Sequence, residues 1–371
     1  MHRSIPCLLV AAVLAGPALA QTQGSRNVTL DSHLPLRAQG AAVAATFGAP
    51  DRLLYVAHER AVSLIDIESR QSVLHWSVPA QVSGLAASPS LVAVATDAGL
   101  HFFDNSGAAM DTAALGEVRD VAAYRHSNGS VYFLAATASH IVMLAGPEKE
   151  VGRVAVPTDV PNRDNGFHGV YAAYDLGTES DRLYAAGGGG YFVFDVTNPM
   201  EPALLTWVNS AAVQVGVGIQ ATPDASHLVT STGYRSAPIR IFDIRPALDG
   251  TISQVRTAAG AWTADWRSHA EQFEVRWPYV FVAAQDQGMA VFNMRNAFEP
   301  YTTAWFRTPA AVDVAVRNSD GLVAVVDAET GLWLVRVEDF RGWDGRGWGV
   351  GNISSVQDWI NGPVGADRWQ P

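Results

Sequence analysis

Residues 183–195 read LYAAGGGGYFVFD: an apolar run, a short glycine turn, a second apolar run and a final Asp. This pattern predicts a β-hairpin whose second strand ends at Asp195. Clear copies of the same pattern recur at residues 53–66, 91–104, 228–243 and 280–293, and weaker copies at 131–144 and 322–337. The ends of successive copies lie 38 to 51 residues apart, so the pattern is an internal repeat.

Seven copies of a hairpin predict seven similar units. One hairpin cannot bury both of its faces, so the units must stack on one another around an axis. Segments such as 203–208 follow the hairpins as a further strand, and segments rich in Ala, Gly and Val, such as 170–174, precede them. Small residues suit the innermost strand, where the units crowd together. The sequence therefore predicts an all-β chain, a seven-bladed β-propeller of four-stranded antiparallel blades.

The two ends of the repeat region predict how the ring closes. An open ring would leave two unpaired strand edges. No convincing outer strand follows Val337, whereas residues 28–36 precede the first unit and have no partner of their own. We expect this N-terminal strand, at about 28–36, to complete the seventh blade. The propeller is then expected to span residues 21–339.

The first twenty residues have the composition of a secretory signal peptide. They combine Arg3, an apolar stretch and the small-residue ending Ala18-Leu19-Ala20. We expect cleavage before Gln21 and a periplasmic or secreted protein. The single cysteine, Cys7, lies within this segment, so the mature chain is expected to have no disulfide and no thiolate nucleophile.

Residues 340–371 carry no repeat and form an irregular tail rich in Trp and Gly. Tryptophan contributes strongly to many protein interfaces, so its side chains here are candidate partner-binding groups. The candidates in the tail are Trp343, Trp348, Trp359 and Trp369. The alternative is a tail that packs across one face of the propeller with its tryptophans in grooves. Sequence alone leaves both open.

The charge of the chain limits its partners. The formal net charge is −11, which argues against binding to a nucleic-acid backbone or to an anionic membrane surface. No segment after the signal peptide is apolar over the length that a transmembrane helix needs. We therefore expect a monomeric propeller with a protein or cell-envelope partner, with no nucleic-acid partner and no transmembrane segment.

The turn after Asp195 carries a more specific pattern. The hydrophobic run that ends at this Asp is followed by Asn198-Pro199 and then by Pro202. At these residues the chain resembles the LVIVD-repeat family of bacterial and archaeal surface or exported proteins. The resemblance covers about residues 41–337, although the other copies keep less of the pattern. It implies an exported β-propeller and does not imply an activity.

Polar side chains are expected to converge at one end of the ring. Because strands alternate in direction, the turns within the hairpins and the links into the innermost strands emerge at the same end. The links supply Asp120, His168, His269, Glu271 and Asp313, and the turns supply His58, Glu59, Asp97, His140, Arg235, Asp286, Asp327 and Glu329. Carboxylates and imidazoles around an axial mouth could bind a polar ligand or a divalent metal such as Ca²⁺. The alternative is a solvated rim.

Two common hydrolase motifs are absent from the sequence. It contains no Gly-x-Ser-x-Gly elbow and no His-Glu-x-x-His zinc helix. The four glycines at 187–190 lack the helix that a phosphate loop needs, and they predict the close approach of another backbone or a bend in the chain. His269 and Glu271 would share one strand face, as a ligand pair or as an ordinary hydrogen bond.

Three functions follow from these observations. The first is a binding or scaffold module that uses its top face and its Trp-rich tail, with no cofactor and no enzyme activity. The second is a hydrolase or lactonase with a metal in the axial mouth, held by Asp120, His168, Glu271 and Asp313. The third and weakest is a quinone-linked oxidoreductase, suggested by the similarity of residues 327–333 to a tryptophan docking motif.

Overall fold

The computed structural model describes residues 23–36, 39–209, 213–267, 269–270, 272–342, 357–358 and 362–363. Within this part of the chain, seven four-stranded antiparallel sheets are arranged as the blades of a propeller. The prediction of an all-β, seven-bladed β-propeller is therefore confirmed. None of the described helices is long and apolar enough to cross a membrane.

The strands are numbered in chain order, and each blade is given from the axis outward. Blade 1 contains Ala42–Phe47 (β2), Leu53–His58 (β3), Ala61–Asp66 (β4) and Gln71–Ser77 (β5), and blade 2 contains Val82–Ala87 (β6), Leu91–Thr96 (β7), Gly99–Asp104 (β8) and Ala109–Ala113 (β9). Blade 3 contains Val118–Arg125 (β10), Val131–Thr137 (β11), His140–Leu144 (β12) and Glu150–Ala155 (β13), and blade 4 contains Phe167–Asp175 (β14), Ser180–Gly187 (β15), Gly190–Asp195 (β16) and Ala203–Val208 (β17).

The remaining blades follow the same order. Blade 5 contains Gly216–Ala221 (β18), His227–Thr232 (β19), Ile239–Asp243 (β20) and Gly260–Trp262 (β21), and blade 6 contains Phe273–Arg276 (β22), Tyr279–Ala283 (β23), Met289–Asn293 (β24) and Tyr301–Phe306 (β25). Blade 7 contains Ala311–Val316 (β26), Leu322–Asp327 (β27), Gly331–Val337 (β28) and Val28–Leu34 (β1). The other described elements are a 3-10 turn at Arg163–Asn165, a short helix at Arg245–Leu248 (α1), and a pairing of Gln357–Asp358 (β29) with Gly362–Pro363 (β30).

The N-terminal strand closes the ring. β1 pairs antiparallel with β28, with Val28 opposite Val337 and Leu34 opposite Leu332. The residues before β1 hydrogen-bond to the end of the outer strand of blade 6. The N–H of Arg307, directly after this strand, donates to the Gln23 carbonyl at 2.7 Å. The first described residues thus connect the outer edges of blades 6 and 7.

The Asp or Asn that ends each clear copy of the repeat is a turn residue. Its side-chain oxygen accepts a hydrogen bond from the backbone N–H two residues later, at 2.8 to 3.0 Å. The residues with this bond are Asp66, Asp104, Asp195, Asp243 and Asn293. This local bond stabilises the chain reversal after the third strand of the blade. The repeated acid is therefore explained by turn structure.

The hydrophobic core is divided among the blade junctions. The described residues form seven apolar clusters, and each cluster lies between two neighbouring blades. Between blades 2 and 3, for example, the rings of Phe102 and Phe133 meet edge to face with centroids 5.2 Å apart. Each blade thus needs both of its neighbours in order to bury its two faces.

The core also extends past the expected end of the propeller. Phe340, which the sequence analysis placed in the tail, is only 3% exposed and packs against Phe281 with ring centroids 5.0 Å apart. Arg341 and Gly342 then run beneath blade 7 to the central cavity. Packing against the propeller therefore continues to the end of this described segment.

The glycine run in blade 4 lies beneath the link that leads from blade 3. A Cβ atom on Gly188 would lie 2.1 Å from the Asn162 carbonyl oxygen, and one on Gly187 would lie 2.3 Å from the Gly166 carbonyl oxygen. A side chain at either position would overlap with this backbone. The run therefore allows two backbone segments to touch, as the sequence predicts.

We predict that Gly188→Ala destabilises the protein by about 1–3 kcal/mol, because the added methyl group must displace the Asn162 carbonyl. The control is Gly233→Ala in the corresponding turn of blade 5, where the nearest atom to the new Cβ lies 3.4 Å away. Urea unfolding of both variants measures the difference. Equal unfolding midpoints would contradict the close approach.

We also predict that deletion of residues 27–36 abolishes cooperative unfolding, since blade 7 then loses its outer strand. Differential scanning calorimetry of the deletion variant should show a broad, low-enthalpy transition. A synthetic peptide of residues 27–36, added in excess, is expected to restore a sharp transition. An unchanged melting curve for the deletion variant would refute the role of β1 in closure.

Candidate functional site in the central cavity

A cavity of about 1140 Å³ lies on the propeller axis and is lined by the innermost strands of all seven blades. About half of the lining residues are Ala, Gly or Val, as expected where the blades converge. The polar and charged residues on the wall include Ser83, Asp120, Tyr171, Gln220, Glu274, Arg276, Asp313, Asn318 and Arg341. These groups define the chemistry that is available inside the ring.

The structure brings together two of the five candidates for the axial mouth. Asp120 and Asp313 both line the cavity. His168 lies near the start of β14, where its Nε2 atom is 3.3 Å from the Arg119 guanidinium, and His269 is buried in the link that precedes β22. Neither histidine is part of the described cavity wall. Glu271 lies outside the described residues.

Asp120 bridges two neighbouring blades. Its Oδ1 atom accepts a hydrogen bond from the N–H of Val121 at 2.8 Å, in its own strand. Its Oδ2 atom accepts one from the N–H of Val170 at 2.9 Å, in the innermost strand of blade 4. Gly84 of blade 2 lies on the other side, and a Cβ there would be 3.6 Å from Asp120 Oδ1. The carboxylate is thus wedged among three blades.

Asp313 makes the same arrangement at the junction where the ring closes. Its Oδ1 atom accepts from the N–H of Val314 at 2.9 Å, and its Oδ2 atom accepts from the N–H of Ala45 at 2.9 Å. Ala45 belongs to blade 1, so this carboxylate joins the last blade to the first. Both aspartates follow a β-bulge at the start of their strand, which explains their matching geometry.

Other polar side chains of the wall join further junctions. The Gln220 amide donates to the Phe273 carbonyl at 2.9 Å and accepts from the Val275 N–H at 2.8 Å, which links blades 5 and 6. The Ser83 hydroxyl donates to the Val118 carbonyl at 2.5 Å, which links blades 2 and 3. Adjacent innermost strands diverge, so side chains satisfy backbone groups that a sheet would otherwise pair. We call Ser83, Asp120, Gln220 and Asp313 the bridging side chains.

Burial changes the protonation of the two bridging aspartates. Each is half-buried, yet protein surrounds the cavity into which it points. Burial raises the pKa of Asp120 to about 6, against the lowering effect of its two N–H donors. Burial, reinforced by the nearby negative charges of Glu274 and Asp120, raises the pKa of Asp313 to about 8. The cavity therefore disfavours negative charge.

Glu274 and Arg276 are cavity residues that the sequence analysis missed. Their side chains form an ion pair at 2.5 Å, and the Arg276 Nε atom donates to Asn318 Oδ1 at 2.7 Å. Burial raises the pKa of Glu274, while Arg276 lowers it. A signal was available in the sequence, because both residues alternate with Phe273 and Val275 in the segment before the sixth hairpin. Such alternation places them on the face that points to the axis.

Several of the hairpin-turn candidates have structural contacts. His58 is fully buried, and its Nε2 atom lies 2.9 Å from the Ser63 hydroxyl, which lies 3.1 Å from His75 Nδ1. Burial lowers the pKa of His58 to about 4, so this imidazole stays neutral. Asp327 accepts hydrogen bonds from the Ala310 N–H at 2.7 Å and from Thr330 within its own turn. These groups stabilise blades 1 and 7.

The motif that suggested a quinone enzyme is also part of this turn. The indole N–H of Trp333 donates to the Thr330 hydroxyl at 2.8 Å, and its ring stacks on His33 of β1 with centroids 3.7 Å apart. The turn joins the second and third strands of blade 7, as its sequence context indicates. Trp333 therefore helps to hold the closing strand.

The sequence also predicts metal ligands around the axial mouth. Among the described residues, no group of three or more His, Cys, Asp or Glu side chains has the arrangement needed to hold a metal ion. Because Glu271 lies outside these residues, the structure describes only part of the ligand set that the sequence predicts. The metal site stays a prediction.

We predict that the wild type loses stability relative to Asp313→Asn as the pH rises. The pKa of Asp313 is raised in the folded state, so its stabilising contribution is full below the ordinary value of 3.8 and is lost as the pH rises to about 8. Asp313→Asn does not titrate. The free energy of unfolding of the wild type should therefore fall relative to this variant between pH 4 and 8, as measured by urea titration.

Asp120→Asn is the matched control, because the pKa of Asp120 is raised only to about 6. Its difference from the wild type should change between about pH 4 and 6 and then level off. Differences that are independent of pH for both variants would contradict the burial of these carboxyl groups.

The comparisons with known proteins agree on the fold alone. No protein-family model matches the sequence, and no curated protein matches it. Among solved structures, the chain is similar to the β-propeller domain of Cps50 (Swd1) from Myceliophteria thermophila, with a TM-score of 0.62 and 13% sequence identity. The match covers 83% of this chain and 98% of that domain. At this identity the similarity shows a shared β-propeller fold.

Proposed function

We propose that this protein is an exported β-propeller of the LVIVD-repeat type that acts as a binding or scaffold module for a protein or cell-envelope partner. The observation that carries the proposal is the use of the cavity carboxylates. Asp120 and Asp313 each accept one backbone hydrogen bond from their own strand and one from a neighbouring blade. The acids best placed for chemistry therefore hold the blades together.

The rest of the wall supports the same function. Gln220 and Ser83 also bond to the backbone of the next blade, and Glu274 is paired with Arg276. A ring joined in this way is rigid, and a rigid scaffold positions its loops well for binding. The loops at the two ends of the ring then supply the contacts with a partner.

The Trp-rich tail is proposed as a second contact with the partner. Trp343, Trp348, Trp359 and Trp369 lie outside the described residues, so their role rests on residue type. The chain leading to them passes Arg341 and Gly342, which line the cavity at the end opposite the hairpin turns. We further propose that residues 1–20 direct export to the periplasm or beyond.

A metal-dependent hydrolase is the second candidate. Two carboxyl groups with raised pKa values face one cavity, and such groups often mark functional sites. Ca²⁺ or another divalent metal would bind the lone pairs of Asp120 and Asp313 that their backbone hydrogen bonds leave open. Binding of a metal would also lower both pKa values.

Capture of a partner tests the preferred function. The purified protein, immobilised and exposed to the envelope fraction of its source organism, should retain one partner saturably. Retention is expected to persist after EDTA treatment and in Asp120→Asn, because neither changes the loops. A variant that ends at Gly342 keeps the buried Phe340 and should bind about tenfold more weakly if the tail contributes.

Metal analysis separates the two candidates. Stoichiometric metal in the purified protein that is lost in Asp313→Ala, together with hydrolysis of ester or lactone substrates, would replace the scaffold function by the hydrolase. Saturable capture of one partner by a metal-free protein would support the scaffold.

A further inference from the structure

The hairpin-turn end of blade 5 carries two exposed aromatic side chains. We call this end of the propeller the upper end. Trp266 is 69% exposed and Tyr234 is 44% exposed. The turn between β19 and β20 contains Tyr234, and the segment after β21 contains Trp266. Since Ile239 pairs with Trp262, both segments leave the blade at the same end.

Each of these aromatic residues is followed by an exposed arginine. The Arg267 guanidinium lies 4.7 Å from the centre of the Trp266 ring, a cation–π contact. Arg235 follows Tyr234 in the turn. In the part of the chain that the structure describes, neither guanidinium forms an ion pair with a carboxylate. Two exposed cations with no acidic partner among the described residues give this surface a local positive charge in a chain with a net charge of −11.

Local contacts hold this surface in place. The Tyr234 hydroxyl lies 3.4 Å from Gln214 Oε1 in the link from blade 4. Asp265 Oδ1 accepts from the Arg267 N–H at 2.8 Å, and the Thr263 hydroxyl donates to the Asp265 carbonyl at 2.9 Å. A surface ordered before binding loses less conformational entropy when a partner docks. Trp, Tyr and Arg are also the residue types that dominate binding energy at interfaces.

We propose that Tyr234, Arg235, Trp266 and Arg267 form a docking surface for an acidic peptide segment of the partner protein. This inference rests on the proposed function and names the surface and the chemistry of its partner. Carboxylates of the segment would pair with the two guanidinium forks, and an apolar side chain would cover the exposed indole.

Geometry favours a peptide over an anionic polysaccharide, since both ligands carry carboxylates and charge does not separate them. The Arg267 guanidinium already occupies one side of the Trp266 ring. The indole therefore presents less open surface for a flat sugar ring, whereas a single apolar side chain needs only part of the ring. In either ligand, carboxylates would match the two guanidinium groups, which form no ion pair among the described residues.

Fluorescence anisotropy tests the proposal with a defined probe. The probe is a short fluorescein-labelled peptide of Gly, Ser and Glu with one central Leu, and its control has Lys in place of Glu. The acidic peptide should bind and the basic one should not, with weakening by salt. Trp266→Ala and Arg267→Ala should each weaken binding about tenfold. Arg267→Lys should weaken it less than Arg267→Ala, because Lys keeps the positive charge although it lacks the bidentate fork.

Phe298→Ala is the matched control. Phe298 is 72% exposed but follows β24, at the opposite end of the ring, so its loss should leave peptide binding unchanged. Unchanged thermal melting of all variants confirms folding. Equal binding of acidic and basic peptides, or normal binding by Trp266→Ala, would overturn the proposal. Tighter binding of polygalacturonate that is lost in the same variants would also overturn it, because the surface would then bind a polysaccharide.

Partner capture distinguishes this inference from the function on which it rests. If the wild type captures an envelope partner and Trp266→Ala captures it equally well, the docking surface is wrong and the scaffold function stands. If the wild type captures no partner, the scaffold function itself fails.

Discussion

The main constraint in this structure is that the two ends of the repeat region are joined within one blade. The pairing of β1 with β28 makes this connection. Without it, blade 7 would expose a strand edge, and the apolar clusters between blades 6 and 7 and between blades 7 and 1 would lose part of their cover. The stacking of His33 on Trp333 adds a side-chain contact to the same junction. Stability is therefore shared around the whole ring.

A second constraint acts at the axis. The innermost strands come close to one another but belong to different sheets, so some of their N–H and C=O groups have no strand partner. The bridging side chains satisfy several of these groups, and the ring gains junctions that apolar packing alone would not specify. Because these side chains bond to the backbone, fewer polar groups of the cavity are available for catalysis. Recognition is then more readily placed on the loops, where Trp266 and Arg267 face solvent.

Much of the fold could be predicted from the sequence because it repeats. The apolar runs and the turn acids, such as Asp66 and Asp195, identified the blades, and the unpaired N-terminal strand indicated how the ring closes. Local patterns also placed Asp120 and Asp313 at the axis. The backbone groups that bond to these two aspartates could not be predicted from the sequence, because Val170 and Ala45 lie 50 and 268 residues away in the chain.

The candidate site was harder to predict for two physical reasons. The sequence shows where a residue falls on a strand but not whether a neighbouring blade covers it. His58 was expected at the mouth, yet it is buried against Ser63. Glu274 and Arg276 are the opposite case. They were not predicted as site residues, because they lie in a mainly apolar segment, yet they line the cavity. Exposure of Trp266 depends on the path of a loop that carries no repeat.

The course of the chain after β28 places the start of the tail at the end of the ring opposite the proposed docking surface. Phe340 anchors the chain in the core, and Gly342 then lies against the Asn318 carbonyl at the end of the axis away from Tyr234 and Trp266. Anything joined to the chain beyond this point is tethered near the axis, on the side opposite the docking surface of blade 5. A single partner that contacts both regions would therefore have to extend across the thickness of the ring. Its reach, rather than its affinity for either region alone, would decide whether both contacts form at once.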